Sequence, residues 1–340
     1  SGETLLVMEG FIRDSEGTSV RVEGEMENIL SGPVKTDISM QDVSLKSLSG
    51  LLAPFMPPSV REAKLDGSAA VSAEFVNLFS PDMSWNGNIT FRNASYSGYM
   101  GGALLSVRGI NGALTIKESG TAENPLAAFL DHLRIGEIEY GILKFRNVQC
   151  ELEADNDKLT IVRLVSDFFG GKLYGTGLFD YGGESAYNFS FLFNDISLEG
   201  ISKRLSPTQE YITGRVNGLI WLAGKGGDTG TVNGPFEFWV VSSPKEQRTI
   251  GKALLDQLGA KERLILGSNR SYDTGEISGY INDGVITFKE FEISNSFLGF
   301  KNLSIQADPI RNSISISHLV SVIREIARRS QSGGPTIETN

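Results

Sequence analysis

The sequence predicts a mainly β protein in which many strands form an antiparallel sheet, with a few short amphipathic helices. Apolar and polar residues alternate along most of the chain, which is typical of strands with one buried face. The chain has 39 glycines but only 11 prolines, a composition that suits tight turns between short strands. Most connections have the length of hairpin loops, and we expect roughly 16 to 19 strands.

The clearest strand pattern is SAYNFSFLFND, in which four aromatic residues alternate with polar ones. Because successive side chains of a strand point to opposite faces, all four rings are expected on one face. Other candidate strands are Gly67–Phe75, Gly87–Ser95, Gly112–Lys117, Leu143–Leu152, Arg215–Leu222, Pro235–Val241, Glu276–Ile281 and Gly284–Ile293.

Four segments have apolar residues at helical spacing: Ser44–Phe55, Pro125–Leu133, Pro244–Leu258 and Ser317–Arg329. The third begins with a proline and ends before Gly259, which are start and stop signals of a helix. We expect the tail at 330–340 to be disordered.

An internal repeat relates MQDVSLKSLSGLL (Met40–Leu52) to FNDISLEGISKRL (Phe193–Leu205). Each segment is followed by a proline-containing turn and then by two glycine-bearing strands. The predicted unit is strand, short helix, strand, strand, near 40–110 and 193–245. A spacing of roughly 150 residues is too long for a solenoid, so we expect one continuous β body over 1–329 built from similar blocks.

Composition excludes several classes of partner and site. A formal net charge of −10 argues against nucleic acid and against an anionic membrane surface as the main partner. A single cysteine, Cys150, excludes an internal disulfide framework and a cysteine-based zinc site. No apolar run reaches the ~18 residues that a membrane-spanning helix needs.

The glycine-rich stretch FFGGKLYGTGLFDY (Phe168–Tyr181) resembles a phosphate-binding loop at first sight. A Walker loop needs G-x-x-x-x-G-K-[ST], and a dinucleotide loop needs G-x-G-x-x-G before a helix. Here Leu178 and Phe179 follow the glycines and lead into another strand. We therefore interpret the stretch as a turn and a strand at which the sheet bends or another element packs closely.

Catalytic groups are sparse. His132 and His318 are the two histidines, each on a predicted helix, and no nucleophile elbow precedes them. The carboxylate pairs Glu137/Glu139 and Glu290/Glu292 have the spacing of a solvated strand face as well as that of a glycosidase pair. We expect no enzyme, no cofactor and no metal site, with a carbohydrate-active enzyme as the weakest alternative.

Apolar residues on one face of several strands form the strongest remaining signal. They are Tyr187, Phe189, Phe191, Phe193, Ile220, Leu222, Phe236, Phe238, Val240, Ile89, Phe91, Val71 and Phe75. Two interpretations fit this pattern: the core of a sandwich, or the lining of a cavity or open groove for acyl chains. Both hide the face from water, so periodicity alone does not separate them.

The repeat also resembles the AsmA-like superfamily of Gram-negative envelope proteins. The matching elements are DVSLKSLSGLL and DISLEGISKRL, each followed by a glycine-bearing strand, KLDGSAAVSAE or RVNGLIWLAGK. The stretch FFGGKLYGTGLFDY is similar to a strand pattern that recurs in that family. The resemblance covers roughly Leu45–Leu303, and it adds no catalytic residue because the family has none.

The resemblance implies an elongated, curled, taco-shaped β-groove or open barrel. It also implies a protein of the periplasm that is anchored in the inner membrane and carries phospholipid acyl chains toward the outer membrane. Because the chain starts with Ser-Gly and has no membrane helix, we expect a C-terminal segment whose anchor lies upstream. The alternative is a structural protein of the TamB type that assists outer-membrane protein biogenesis, with an outer-membrane or other envelope protein as partner.

Overall fold

The computed structural model describes residues 6–13, 19–26, 34–52, 63–77, 83–100, 103–118, 126–155, 157–183, 185–205, 211–241, 247–252, 270–297, 300–306, 312–318 and 321. Most of the predicted helices Pro244–Leu258 and Ser317–Arg329 lies outside these residues, as does the tail at 330–340. The described part of the first of these segments contains a two-residue strand, Thr249–Ile250.

Strands dominate the described residues. In chain order the elements are β1 (Leu6–Arg13), β2 (Ser19–Met26), β3 (Val34–Ser44), α1 (Leu45–Leu52), β4 (Lys64–Val76), β5 (Ser84–Met100), β6 (Ala103–Glu118), β7 (Leu126–Tyr140), β8 (Leu143–Ala154), β9 (Lys158–Phe168), β10 (Gly171–Asp180), β11 (Ala186–Ser197), α2 (Leu198–Leu205), β12 (Arg215–Lys225), β13 (Gly234–Val240), β14 (Thr249–Ile250), β15 (Arg270–Ser271), β16 (Thr274–Asn282), β17 (Val285–Phe297), β18 (Phe300–Gln306) and β19 (Ser313–Ser315).

Seventeen of these strands belong to one antiparallel sheet that is not closed into a barrel, and β14 pairs with β15 in a separate two-stranded sheet. Neighbours in the large sheet are almost all consecutive in the chain, but β13 pairs with β16. β18 and β19 both pair with β17, and they share the edge that β16 leaves free. The mainly β, antiparallel fold class is confirmed.

The chain forms two compact units. The first comprises Ser1–Ile138 and Asn147–Arg163, and the second comprises Glu139–Arg146 and Leu164–Asn340. One repeat segment lies in each unit, and both segments fold as strand, helix, strand, strand: β3–α1–β4–β5 and β11–α2–β12–β13. The continuous β body expected over 1–329 stays a prediction.

The repeated letters D-[VI]-S-L encode a β-bulge followed by a helix N-cap. Pairing shifts register between Phe193 and Ile196, where Asp195 has a φ of 60°. The hydroxyl of Ser197 then accepts a hydrogen bond from the backbone N–H of Gly200 at 3.1 Å, which satisfies one of the free donors at the start of α2.

The first repeat has the same construction. Pairing between β3 and β4 shifts between Met40 and Val43, and Ser44 Oγ accepts from the N–H of Ser47 at 3.4 Å. In each unit the bulge shifts the register, and two further pairs follow it before the helix begins. The short helices predicted within Ser44–Phe55 and Phe193–Leu205 are therefore confirmed as α1 and α2.

The predicted helix Pro125–Leu133 is wrong, because Leu126–Tyr140 is strand β7. This strand lies between β6 and β8 in the sheet and is hydrogen-bonded to both. His132 has a φ of 62°, a conformation found at bulges. A bulge breaks the period of two, and the remaining spacing of leucines imitates a helix.

The glycine-rich stretch folds as the turn and strand that its sequence predicts. Phe169 and Gly170, with φ values of 42° and 76°, form the tight turn between β9 and β10. Gly171–Asp180 then runs as β10, and its residues from Lys172 to Asp180 pair with β11.

Candidate functional site

Strand register collects apolar side chains of the second unit on one face of the sheet. Directly paired residues of an antiparallel sheet point to the same side, so the pairing of β10 to β13, β16 and β17 defines this face. We call it the apolar face. Its members are Leu173, Gly175, Gly177, Phe179, Tyr187, Phe189, Phe191, Phe193, Ile196, Val216, Gly218, Ile220, Leu222, Gly224, Gly234, Phe236, Phe238, Val240, Gly275, Ile277, Gly279, Ile281, Ile286, Phe288, Phe291 and Ile293.

The apolar face contains nine of the thirteen residues predicted to line a groove: Tyr187, Phe189, Phe191, Phe193, Ile220, Leu222, Phe236, Phe238 and Val240. Phe236 is buried with 8% of its surface exposed, whereas the other eight are half-buried. Residues in the core of a closed sandwich are largely inaccessible to water. The described part of the chain thus covers this face only in part.

Aromatic rings follow one another along β11. The ring centroids of Tyr187 and Phe189 lie 5.6 Å apart, and those of Phe189 and Phe191 lie 6.1 Å apart. The planes within the two pairs differ by only 20° and 29°. Such stacked rings form a continuous hydrocarbon strip along the strand.

An apolar cavity of about 300 Å³ lies at one end of this face. Phe193, Phe238 and Ile293 of the sheet line one side of it. The other side is made by side chains from outside the sheet: Leu198 and Ile201 of α2, with Ile212 and Tyr272. Glu276 is the charged residue among those that line the cavity.

Tyr272 holds the wall of the cavity in place. Its side chain is 1% exposed and packs in a cluster with Ile250 and Ile293. Its hydroxyl donates a hydrogen bond to the backbone oxygen of Thr213 at 2.5 Å, so the buried polar atom is satisfied. Burial raises the pKa of Tyr272 to about 12, which keeps this donor protonated at ordinary pH.

The other four predicted lining residues, Val71, Phe75, Ile89 and Phe91, lie in the first unit. Register places them on one face of β4 and β5, where Val71 pairs with Ile89. Ile89 and Phe91 pack against a buried cluster that includes Leu45 of α1. All four side chains are half-buried. The structure thus brings the thirteen residues together as two separate groups, one in each unit.

Sequence reasoning missed the contribution of β16 and β17. Ile277, Phe288 and Phe291 all face the apolar side, although Phe288 and Phe291 are three positions apart. A register shift between Ser278 and Gly279 leaves Lys289 as an extra residue in β17. Because of this bulge, Phe288 and Phe291 point to the same face although an odd number of positions separates them. The signal in VITFKEFEIS was the unusual interval between its two phenylalanines.

The opposite face of the same strands is exposed and mixed. Leu192, Leu219 and Tyr280 are 41%, 47% and 51% exposed. Carboxylates also gather there, and a hydrogen bond with Glu290, with smaller effects of burial and neighbouring carboxylates, raises the pKa of Glu276. Glu290 thus belongs to a solvated face, as one of the two sequence interpretations expects.

Polar candidates for chemistry form ordinary ion pairs or are buried. In the first unit, Arg163 and His132 lie 3.6 Å and 3.9 Å from the carboxylate of Glu151, beside a cavity of about 230 Å³. Cys150 lines the same cavity, but burial raises the pKa of its thiol to about 11, so it is a poor nucleophile. Glu137 is 3.4 Å from Arg108 in an ordinary ion pair.

The described residues contain no group of three or more histidine, cysteine, aspartate or glutamate side chains that could hold a metal ion. Among the helices in the same residues, none has the length and apolar character needed to cross a membrane.

Comparison with known proteins gives no relative. No protein-family model matches the chain, and neither a curated protein nor a solved structure is significantly similar to it. The interpretation of the site therefore depends on its own geometry.

Proposed function

We propose that this chain is a periplasmic segment of a bridge-like lipid transfer protein, in which the apolar face shields phospholipid acyl chains between the inner and outer membranes. The observation that carries the proposal is the half-buried state of the aromatic row on β11, next to an apolar cavity of about 300 Å³. Both features offer hydrocarbon contact that the described residues leave unfilled.

The energetics favour such a surface over a tight binding pocket. Exposing an acyl chain to water costs about 0.8 kcal/mol per methylene group, so crossing an aqueous gap costs on the order of 10 kcal/mol for one chain. A long strip of apolar side chains lowers that free-energy cost at every position along the strip. No single position binds the acyl chain much more tightly than its neighbours. Lipid then moves along the strip instead of being trapped at one point.

The chemistry of the face also indicates what it recognises. Its members, defined above by register, are apolar side chains and glycines, with one phenol hydroxyl on Tyr187. A lipid head group would find no charged partner there and would stay in solvent. We therefore expect weak discrimination between head groups and contacts mainly with hydrocarbon.

The direct test is to identify lipid in the purified protein. Native mass spectrometry and solvent extraction should show phospholipid bound to the wild-type chain, and a fluorescence assay should show transfer between donor and acceptor vesicles. Phe189→Asp should lose most of the bound lipid, because it puts a charge into the hydrocarbon strip. Leu192→Asp is the matched control, since Leu192 is on the same strand but 41% exposed on the opposite face.

A wild-type protein that is folded, free of lipid and inactive in transfer would contradict the proposal. Equal lipid loading of the Phe189→Asp and Leu192→Asp variants would contradict the assignment of the face. Unfolding of Phe189→Asp alone would indicate a sandwich core, so circular dichroism accompanies each measurement.

The cellular location is part of the same proposal and is supported by the resemblance to AsmA-like proteins. The longer protein would be anchored in the inner membrane by a segment upstream of this chain. Protease treatment of intact cells and of spheroplasts tests this: the segment should be cleaved only once the outer membrane is opened. Cleavage only after lysis of the inner membrane would place it in the cytoplasm and end the proposal.

A further inference from the structure

Glycines and aromatic residues are paired across the strands of the apolar face. Each of five aromatic residues lies directly opposite a glycine of the adjacent strand. The pairs are Phe189 with Gly177, Phe191 with Gly175, Tyr187 with Gly224, Phe238 with Gly218 and Phe236 with Gly279.

In each pair the aromatic ring occupies the space of the missing side chain. A methyl group on Gly177 would overlap with Cδ1 of Phe189, and one on Gly218 would overlap with Cδ1 of Phe238. A methyl group on Gly279 would lie 2.7 Å from Cζ of Phe236 and 2.2 Å from the backbone oxygen of Thr287. The rings thus lean across the neighbouring strand, whereas side chains of a sheet normally stand roughly perpendicular to it.

The backbone dihedral angles do not require glycine at these positions. None of the five is among the described glycines with a positive φ, so an alanine would fit their backbone conformation. Glycine inside a strand lowers stability, because it has no side chain to pack and loses more entropy on folding. The space taken by the rings therefore accounts for four of the glycines, and at Gly279 the backbone oxygen of Thr287 excludes a side chain as well.

We propose that these five glycines set the depth of the acyl-chain groove, an inference that rests on the proposed lipid binding. Because the rings lean over the glycines, they lie close to the sheet. This leaves space above the rings in which hydrocarbon can bind. A methyl group under a ring raises that ring from the sheet and narrows the space. The pairs thereby determine how thick a hydrocarbon the groove accepts, and thin, unbranched acyl chains without rings are its substrate class.

The test compares two lipids in the full chain. Vesicles of palmitoyl-oleoyl phosphatidylethanolamine supply thin chains, and the same lipid with a pyrene-ended chain supplies a thick one. In Gly177→Ala and Gly218→Ala we expect uptake of the pyrene lipid to fall about tenfold relative to the thin lipid, the low end of what one methyl group changes in a hydrophobic pocket.

Gly183→Ala is the matched control, because among the described residues, its chain neighbours aside, none comes within 4 Å of the position of its added methyl group. It should keep the wild-type ratio of the two lipids. The double variant Gly177→Ala/Phe189→Leu should recover uptake of the pyrene lipid, since the side chain that the alanine displaces has been shortened.

The outcomes separate the two proposals. Wild-type protein that takes up neither lipid would overturn the proposed function. Wild-type uptake with an unchanged ratio in the folded alanine variants would overturn the role of the glycines alone. If Gly177→Ala does not fold, Gly175→Ala replaces it, because its methyl group would lie 3.0 Å from Cδ1 of Phe191 and needs only a small shift of the ring.

Discussion

Arg215 of β12 forms hydrogen bonds with Asp195 at the bulge of β11. Its Nη1 donates hydrogen bonds to the backbone oxygen of Asp195 at 2.8 Å and to the carboxylate Oδ2 at 3.0 Å. A third bond reaches the backbone oxygen of Gly170 at 3.2 Å. One side chain thus connects the bulge before α2 with the turn between β9 and β10.

Arg215→Met should lower the free energy of unfolding by about 1–2 kcal/mol, because three hydrogen bonds from a charged donor are lost. Chemical denaturation of the purified chain measures the change. Arg163→Met is the control, because the ion pair of Arg163 with Glu151 is exposed and should contribute at most about 1 kcal/mol. Equal effects of the two substitutions would contradict the role given to Arg215.

Tyr272 makes stability depend on pH in the alkaline range. Burial raises its pKa to about 12 in the folded protein, from a usual value near 10. The buried neutral phenol therefore contributes its full stabilisation below pH ~10, and this contribution is lost as the pH rises toward 12. Denaturation between these values should show a fall in stability that Tyr272→Phe reduces. An unchanged slope in the variant would show that other groups cause it.

Cys150 should react slowly with thiol reagents. Its side chain is 7% exposed, and burial, with a smaller effect of Glu151, raises the pKa of the thiol to about 11. Because the thiolate is the reactive form, labelling with a disulfide reagent at pH 8 should be much slower in the folded chain than in denaturant. Equal rates in the two states would contradict the buried position.

Val240→Phe should fill part of the apolar cavity that Val240 lines. Cavity filling commonly raises the free energy of unfolding by about 0.5–2 kcal/mol, so the lipid-free variant should be at least as stable as wild type while it binds less phospholipid. Val162→Phe is the control, since Val162 is 43% exposed. Unchanged lipid loading in Val240→Phe would show that the cavity takes no part in binding.

The alternation of residues along the chain determined which side chains share a face wherever strand pairing is regular. The alternate residues from Tyr187 to Phe193 on β11 share one face, as predicted, and so do those from Phe236 to Val240 on β13. The helices α1 and α2 follow equally from local signals, since Ser44 and Ser197 cap them. These features depend on neighbouring residues, which a sequence displays directly.

At β-bulges, the alternation of residues predicted the wrong element or the wrong face. The positive φ of His132 lies inside β7, where the leucine spacing had predicted a helix. Phe288 and Phe291 reach one face only because Lys289 is extra in the pairing of β16 with β17. A bulge reverses the alternation, and the partner strand that creates it is not visible in the local pattern.

The degree to which the apolar face is covered was decided by tertiary structure alone. Periodicity records the side to which a residue points, and it contains no information about what lies opposite. Tyr272 and Ile250 pack against Ile293 from segments well separated in the chain, while Phe189 on the same face stays half-buried. The sequence by itself determined a mainly β chain with an apolar row. Only long-range packing decided that the row stays partly exposed and that Tyr272 lines a cavity at one end of it.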